Sequence, residues 1–138
     1  MRIIGFNLSK ISAQRKEKTE GKLEINQNVD IKNVKPEKIP ISEEEAIRID
    51  FAFVITYSKD FARLEFEGNL GILPNKEELK EFKEAWKNKQ IPEKSRVSIF
   101  NFIMNKCNIK ALDLEDQLTL PTHIPLPRLQ PGQQPDAA

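Results

Sequence analysis

His123, the only histidine, stands beside Pro125 with no cysteine or carboxylate at a metal-ligand spacing, so it reads as neither ligand nor general base. Cys107, the only cysteine, falls on an apolar helical arc without a histidine near it in sequence. A thiol so placed behaves as a small buried hydrophobe rather than a nucleophile. Glu65 and Glu67 point the same way along one strand, but a working carboxyl pair needs a partner that drives the two proton affinities apart, and none stands by. They read as solvated. Gly68-Asn69-Leu70-Gly71 lacks the lysine and the following hydroxyl residue of a phosphate loop, so Gly68 instead marks a bulge or the close approach of a neighbouring chain. Lys76, Lys80, Lys83 and Lys87 would suit nucleic acid, yet Glu77, Glu78, Glu81 and Glu84 are interleaved with them and repel phosphate. No catalytic residue, metal or cofactor is expected, and the chain is not read as an enzyme.

The bulk properties point the same way. The 138 residues suit one domain, which at this size buries about two-thirds of its unfolded surface. The 22 basic and 21 acidic residues cancel to a net charge of +1, so no whole-chain field draws the protein to nucleic acid or a membrane. A single cysteine excludes an internal disulfide framework and suits a reducing compartment. The apolar residues before Asn7 are too few for a signal-peptide core, and no run is long enough to insert in a membrane. A cytoplasmic location is expected.

The elements that must carry any function are legible from periodicity. Ile47, Ile49, Phe51, Phe53, Ile55 and Tyr57 alternate with polar residues, and after Ser58-Lys59-Asp60 the run Leu64, Phe66, Gly68, Leu70, Ile72 alternates again. This predicts an antiparallel hairpin at the centre of one sheet. Ile4, Phe6 and Leu8 alternate and Ile11 arrives one residue late, predicting a first strand with a bulge near Ser9 and Lys10. Leu23, Ile25, Val29 and Ile31 predict another strand, and the two prolines of Lys35–Ile41 predict a loop or crossover after it. Asn75 with Glu78 forms a capping-box start for an amphipathic helix bearing Leu79, Phe82 and Trp86. Gln90-Ile91-Pro92 ends it, and a second helix begins near Glu93. The apolar arc of that second helix, from Val97 through Phe100 and Met104 to Cys107, is too wide for one face and implies an oligomer. After Lys110 the composition changes and the chain reads as an extended tail, anchored by Leu112, Leu114, Leu118 and Leu120, with Pro121–Leu129 a polyproline-like strip and Gln130 onward disordered.

This order of elements resembles the SecB family of export chaperones and its SecB-like relatives. The most specific likeness is Phe61-Ala62-Arg63-Leu64-Glu65-Phe66-Glu67-Gly68-Asn69-Leu70-Gly71-Ile72, similar to the family's last strand, and Arg96 is similar to a position opening the long helix. The glycine-phenylalanine-proline turn after that helix is replaced by Asn105-Lys106-Cys107-Asn108-Ile109. The resemblance implies an α+β fold: a four-stranded antiparallel sheet with two C-terminal helices on one face, residues 1–120 forming the chaperone domain and 121–138 a proline-rich tail. It also implies an ATP-independent holdase, a homotetramer built as a dimer of dimers, with the first strand and long helix (Ile4, Phe6, Leu8, Val97, Phe100, Met104) at the interface.

Unfolded clients are then expected in a groove lined by Phe66, Leu70, Ile72, Leu79, Phe82 and Trp86, with Ile39 and Ile41 at its rim. Whether such a protein serves export is open, and so is a rival reading in which it is an adaptor for one folded partner, as in a toxin–antitoxin module. For the tail, Ile124, Leu126 and Leu129 either dock in a groove of the same or a neighbouring subunit, or stay solvated.

Overall fold

In the computed structural model, which describes residues 1–18, 21–40 and 44–132, the alternating runs form one four-stranded antiparallel sheet. Its strands are β1 (Arg2–Arg15), β2 (Ile25–Lys38), β3 (Glu45–Tyr57) and β4 (Ala62–Leu73), in the spatial order β1-β4-β3-β2. β3 and β4 are the inner pair. Their register sets Ile47 opposite Ile72, Ile49 opposite Leu70, Phe53 opposite Phe66 and Ile55 opposite Leu64, so one face of the hairpin is continuously apolar. None of these eight side chains is more than 2% exposed, and each contributes about 1.5–3 kcal/mol by leaving water. A single 3-10 turn, Ser58–Asp60, joins the two strands, with Lys59 and Asp60 both at positive φ.

β2, β3 and β4 follow one another as neighbours, whereas the link from β1 to β2 passes from one sheet edge to the other, a Greek-key order. The crossover expected after β2 is therefore a direct connection between paired strands. Lys35–Lys38, expected as loop because of Pro36, belongs to β2, and Pro36 is paired opposite Ile47. The reason is position: β2 is an edge strand, and a missing N–H is tolerated there. A bulge between Ile31 and Asn33 returns Val34 to the apolar face, and the Asn33 side chain accepts from the Val34 N–H at 2.9 Å.

β1 carries the expected bulge, between Leu8 and Lys10, and a second between Ile3 and Gly5. The second turns Ile4 onto the opposite face from Phe6, where it lies beside Gly71 and is 44% exposed. Gly68 meets the first bulge at close range, since a Cβ there would stand 2.2 Å from the Asn7 carbonyl oxygen.

Two helices, α1 (Lys76–Lys87) and α2 (Glu93–Gln117), pack on the apolar face, where Phe82, Ile99 and Ile103 join Ile49, Phe53 and Phe66 in one core. The α+β architecture is the expected one. α2 does not stop near Lys110 but runs seven residues further. Its buried positions are Ser95, Ile99, Ile103, Cys107, Ala111 and Glu115, one every four residues. Four residues advance about 40° beyond a full turn, so this stripe winds around the helix. That winding makes the arc look too wide in sequence, and the sheet half-covers Phe100 and Met104 while Val97 and Ile109 remain 68% and 69% exposed. The other face of the sheet is polar, with Arg48 paired to Asp50 at 3.0 Å and Lys10 to Glu65 at 3.3 Å.

Candidate functional site

An apolar groove lies where α1 meets the free end of β2. The helix starts where it does because the Asn75 side chain accepts from the Glu78 N–H at 2.8 Å while the Glu78 carboxylate accepts from the Asn75 N–H at 3.0 Å. The Asn75 N–H and the chain's terminal amine, 3.0 Å away, hold the Glu78 carboxyl below its usual range. With the start set, Leu79, Phe82 and Trp86 fall at intervals of three and four residues and face the sheet. The opposite wall is Val34, Lys35 and Pro36 of β2 with Ile47 of β3 at the floor, enclosing about 180 Å³. Lys83 reaches Glu45 across the rim at 3.4 Å. Lys89 lies 4.9 Å from the centroid of the Trp86 ring.

The expected site residues divide by depth. Leu79, Phe82 and Trp86 line this groove. Phe66, Leu70 and Ile72 do not line it, because they face the core and are 0% exposed; Ile72 lies behind the floor, cross-strand from Ile47. Ile39 is half-buried outside the lining, and Ile41 falls outside the described residues. Val34, Pro36 and Ile47 were missed as lining, since only the bulge after Ile31 and the edge position of Pro36 bring them there.

Of the expected interface residues, Ile4 and Val97 are exposed, whereas Phe6 is half-buried, stacked on Phe51 with Phe102 edge-on. Leu8, Phe100 and Met104 are also half-buried against the core. In the tail Ile124 is half-buried, and Leu126 and Leu129 are 52% and 62% exposed.

At the far end of the sheet the chain builds a polar cluster that sequence reading did not find. Glu115, on the winding stripe of α2, is 0% exposed. Its carboxyl group accepts from the Tyr57 hydroxyl and from the His123 N–H at 3.0 Å, and lies 2.8 Å from the His123 ring Nδ1. The other ring nitrogen, Nε2, is 2.7 Å from Asn108 Oδ1, and the ring meets Phe53 edge-on. Tyr57 also lies 2.6 Å from the Pro121 carbonyl oxygen, and its phenol is held far above its ordinary range by burial and by the Glu115 carboxylate. Arg15 of β1 closes the same corner by donating to the carbonyls of Leu118 at 2.8 Å and Thr119 at 3.2 Å. The His123 and Glu115 side chains are both 0% exposed, so no substrate reaches them. Cys107 is likewise enclosed, and burial pushes its thiol up to about 11.

The groove can therefore offer dispersion and hydrophobic contact, and little else. Its volume is below the ~300 Å³ at which small-molecule pockets begin, and its polar members, Lys35 and Lys83, belong to long side chains at the rim. It suits one or two apolar side chains of an extended segment.

No family model matches the chain, and no curated protein does. Among solved structures it is similar to the Mycobacterium tuberculosis SecB-like chaperone Rv1957, solved in complex with a ChAD peptide from the Rv1956 HigA1 antitoxin. The two are 19% identical over 94% of this chain and 92% of that chain, with a TM-score of 0.49.

Proposed function

We propose that this protein is an ATP-independent holdase, which captures apolar segments of unfolded polypeptides in the groove between α1 and the end of β2. The observation that carries the reading is the groove itself: Pro36, Leu79 and Trp86 leave apolar surface open around the buried Val34, Ile47 and Phe82. Such a site gains affinity from covering a client's apolar side chains. It discriminates little between clients, because no buried polar group is arranged to read a particular sequence. Pro36 supplies no N–H, so side-chain anchoring outweighs backbone pairing at that wall.

The same reading makes the working form a homo-oligomer, a dimer of dimers in the cytoplasm, joined through β1 and α2. It is supported by the open edge of β1 and by Ile4, Ile11, Val97 and Ile109, each at least 44% exposed. The exposed tail residues Leu126 and Leu129 act as competitors for a groove on a neighbouring subunit.

The test is suppression of aggregation. Several unrelated denatured proteins should stay soluble at near-stoichiometric ratios to this protein, and Trp86→Ala should lose much of that effect while remaining folded. Protection of one protein or none would instead favour an adaptor with a dedicated partner, in protein export or in a toxin–antitoxin pair.

A further inference from the structure

We propose that the client groove continues past Trp86 into a second, basic subsite, where Lys89 and Arg96 favour extended segments that carry a carboxylate about five residues from their apolar anchor. The inference rests on the holdase reading of the first groove and names the class of segment that it prefers.

Two hollows lie along the same edge strand. The first faces Val34, Lys35 and Pro36 of β2, and the second, of about 290 Å³, faces Val29, Asp30 and Ile31 of that strand. The bulge between Ile31 and Asn33 keeps Val29, Ile31 and Val34 on the apolar face, so the opposite wall of both hollows comes from the helical half of the domain. Those walls also meet. Trp86 lines the first hollow, Lys89 lines the second, and the Lys89 ammonium stands 4.9 Å from the Trp86 ring centroid. At about 3.3 Å per residue the run from Val29 to Pro36 spans about 23 Å, the reach of an extended segment of about eight residues.

The chemistry of the second hollow differs from that of the first. Its floor is apolar, with Ile91 only 4% exposed and Val29, Ile31 and Phe100 half-buried, but its rim carries Lys89 and Arg96. Its one lining carboxylate, Asp30, is paired with Lys32 at 3.1 Å. Among the described residues, neither Lys89 nor Arg96 has a carboxylate within ion-pair distance. Arg96 donates to the Ile91 carbonyl at 3.4 Å, which ties its guanidinium to the floor and leaves the rest of the fork open. In the first hollow Lys83 is taken by Glu45. A segment that sets its apolar side chains beside Trp86 and a carboxylate beside Lys89 and Arg96 therefore gains both contacts, whereas a lysine in that place is repelled. The result is a bias among unfolded segments and not a sequence code, because both cations are exposed and are screened by salt.

Isothermal titration calorimetry on the full chain with three peptides tests this. Each peptide has an apolar pair at its centre and, about five residues to either side, aspartate, asparagine or lysine, so the result does not depend on the direction in which the segment lies. At about 50 mM salt the aspartate peptide should bind roughly three- to fivefold more tightly than the asparagine peptide and the lysine peptide more weakly than either, with the gaps closing near about 1 M salt. Lys89→Asn combined with Arg96→Gln removes both cations at exposed positions, asparagine suiting the positive φ of 57° at residue 89. This double variant should bind the aspartate and asparagine peptides alike. If wild type holds the aspartate peptide no more tightly than the asparagine one, or if the preference survives the double variant, the subsite is overturned while the holdase reading stands. Binding of none of the three peptides overturns both.

Discussion

Replacing Gly68 by alanine tests how tightly β1 and β4 are joined. The added Cβ would stand 2.2 Å from the Asn7 carbonyl oxygen and 3.1 Å from Leu8 Cα, both backbone atoms that cannot swing aside. Relief needs β1 to withdraw by roughly 1 Å beside its bulge, a gap that already forfeits a quarter to a half of a contact's attraction. Overpacking of this kind costs about 1–3 kcal/mol, and stretching one or two ladder hydrogen bonds adds about 1 kcal/mol each. The stiffer unfolded chain returns about 0.4–1 kcal/mol, leaving a net loss of about 2–4 kcal/mol. Urea denaturation followed by Trp86 emission and by circular dichroism measures it. Gly71→Ala is the control: its Cβ would meet only Ile4 side-chain carbons, at 3.5 and 3.9 Å, so it should lie within about 0.5 kcal/mol of wild type. If the two variants prove equally stable, the argument from close strand approach is wrong.

Phe82→Ala, which removes a 1% exposed ring from beneath the groove, should cost about 3–5 kcal/mol in denaturant, whereas the half-buried Trp86→Ala should cost clearly less, and equal losses would mean Trp86 is a core residue rather than a groove wall. Trp86 emission should shift when an unfolded client saturates the protein, and an unchanged spectrum would move the client elsewhere. Val97→Asp, at a 68% exposed position, should reduce the oligomer mass in light scattering with little change in monomer stability; an unchanged mass removes Val97 from the interface. Cys107, enclosed and with its thiol pushed up to about 11, should be roughly one-thousandth ionised at about pH 8, so thiol reagents should react only as fast as the domain opens.

Features set by near neighbours in the chain were legible without coordinates. The β3–β4 hairpin follows from alternation, since its apolar face is assembled from residues two apart with one short turn between them. The start of α1 follows from Asn75 and Glu78, because a capping box is closed within four residues. Gly68 and the later bulge of β1 announced themselves by a missing side chain and a broken parity.

Other features depended on which strand becomes an edge and on which distant residues meet. Pro36 looks like a ladder breaker until β2 is seen to lie at the sheet edge, where its absent N–H has no strand to bond. The wide apolar arc of α2 looked like an interface alone, but its every-fourth-residue stripe, winding by about 40° a step, already meets the sheet along much of its length. The polar cluster around Glu115 was least visible of all, because Glu115 and His123 are 8 residues apart, Asn108 and His123 are 15 apart, and Tyr57 is 58 from Glu115, spacings that match no motif. A carboxylate on the buried stripe of α2 was its one local sign. That the buried Glu115 finds three polar partners there was decided by the packing of the helix end, the strand end and the tail around a single corner.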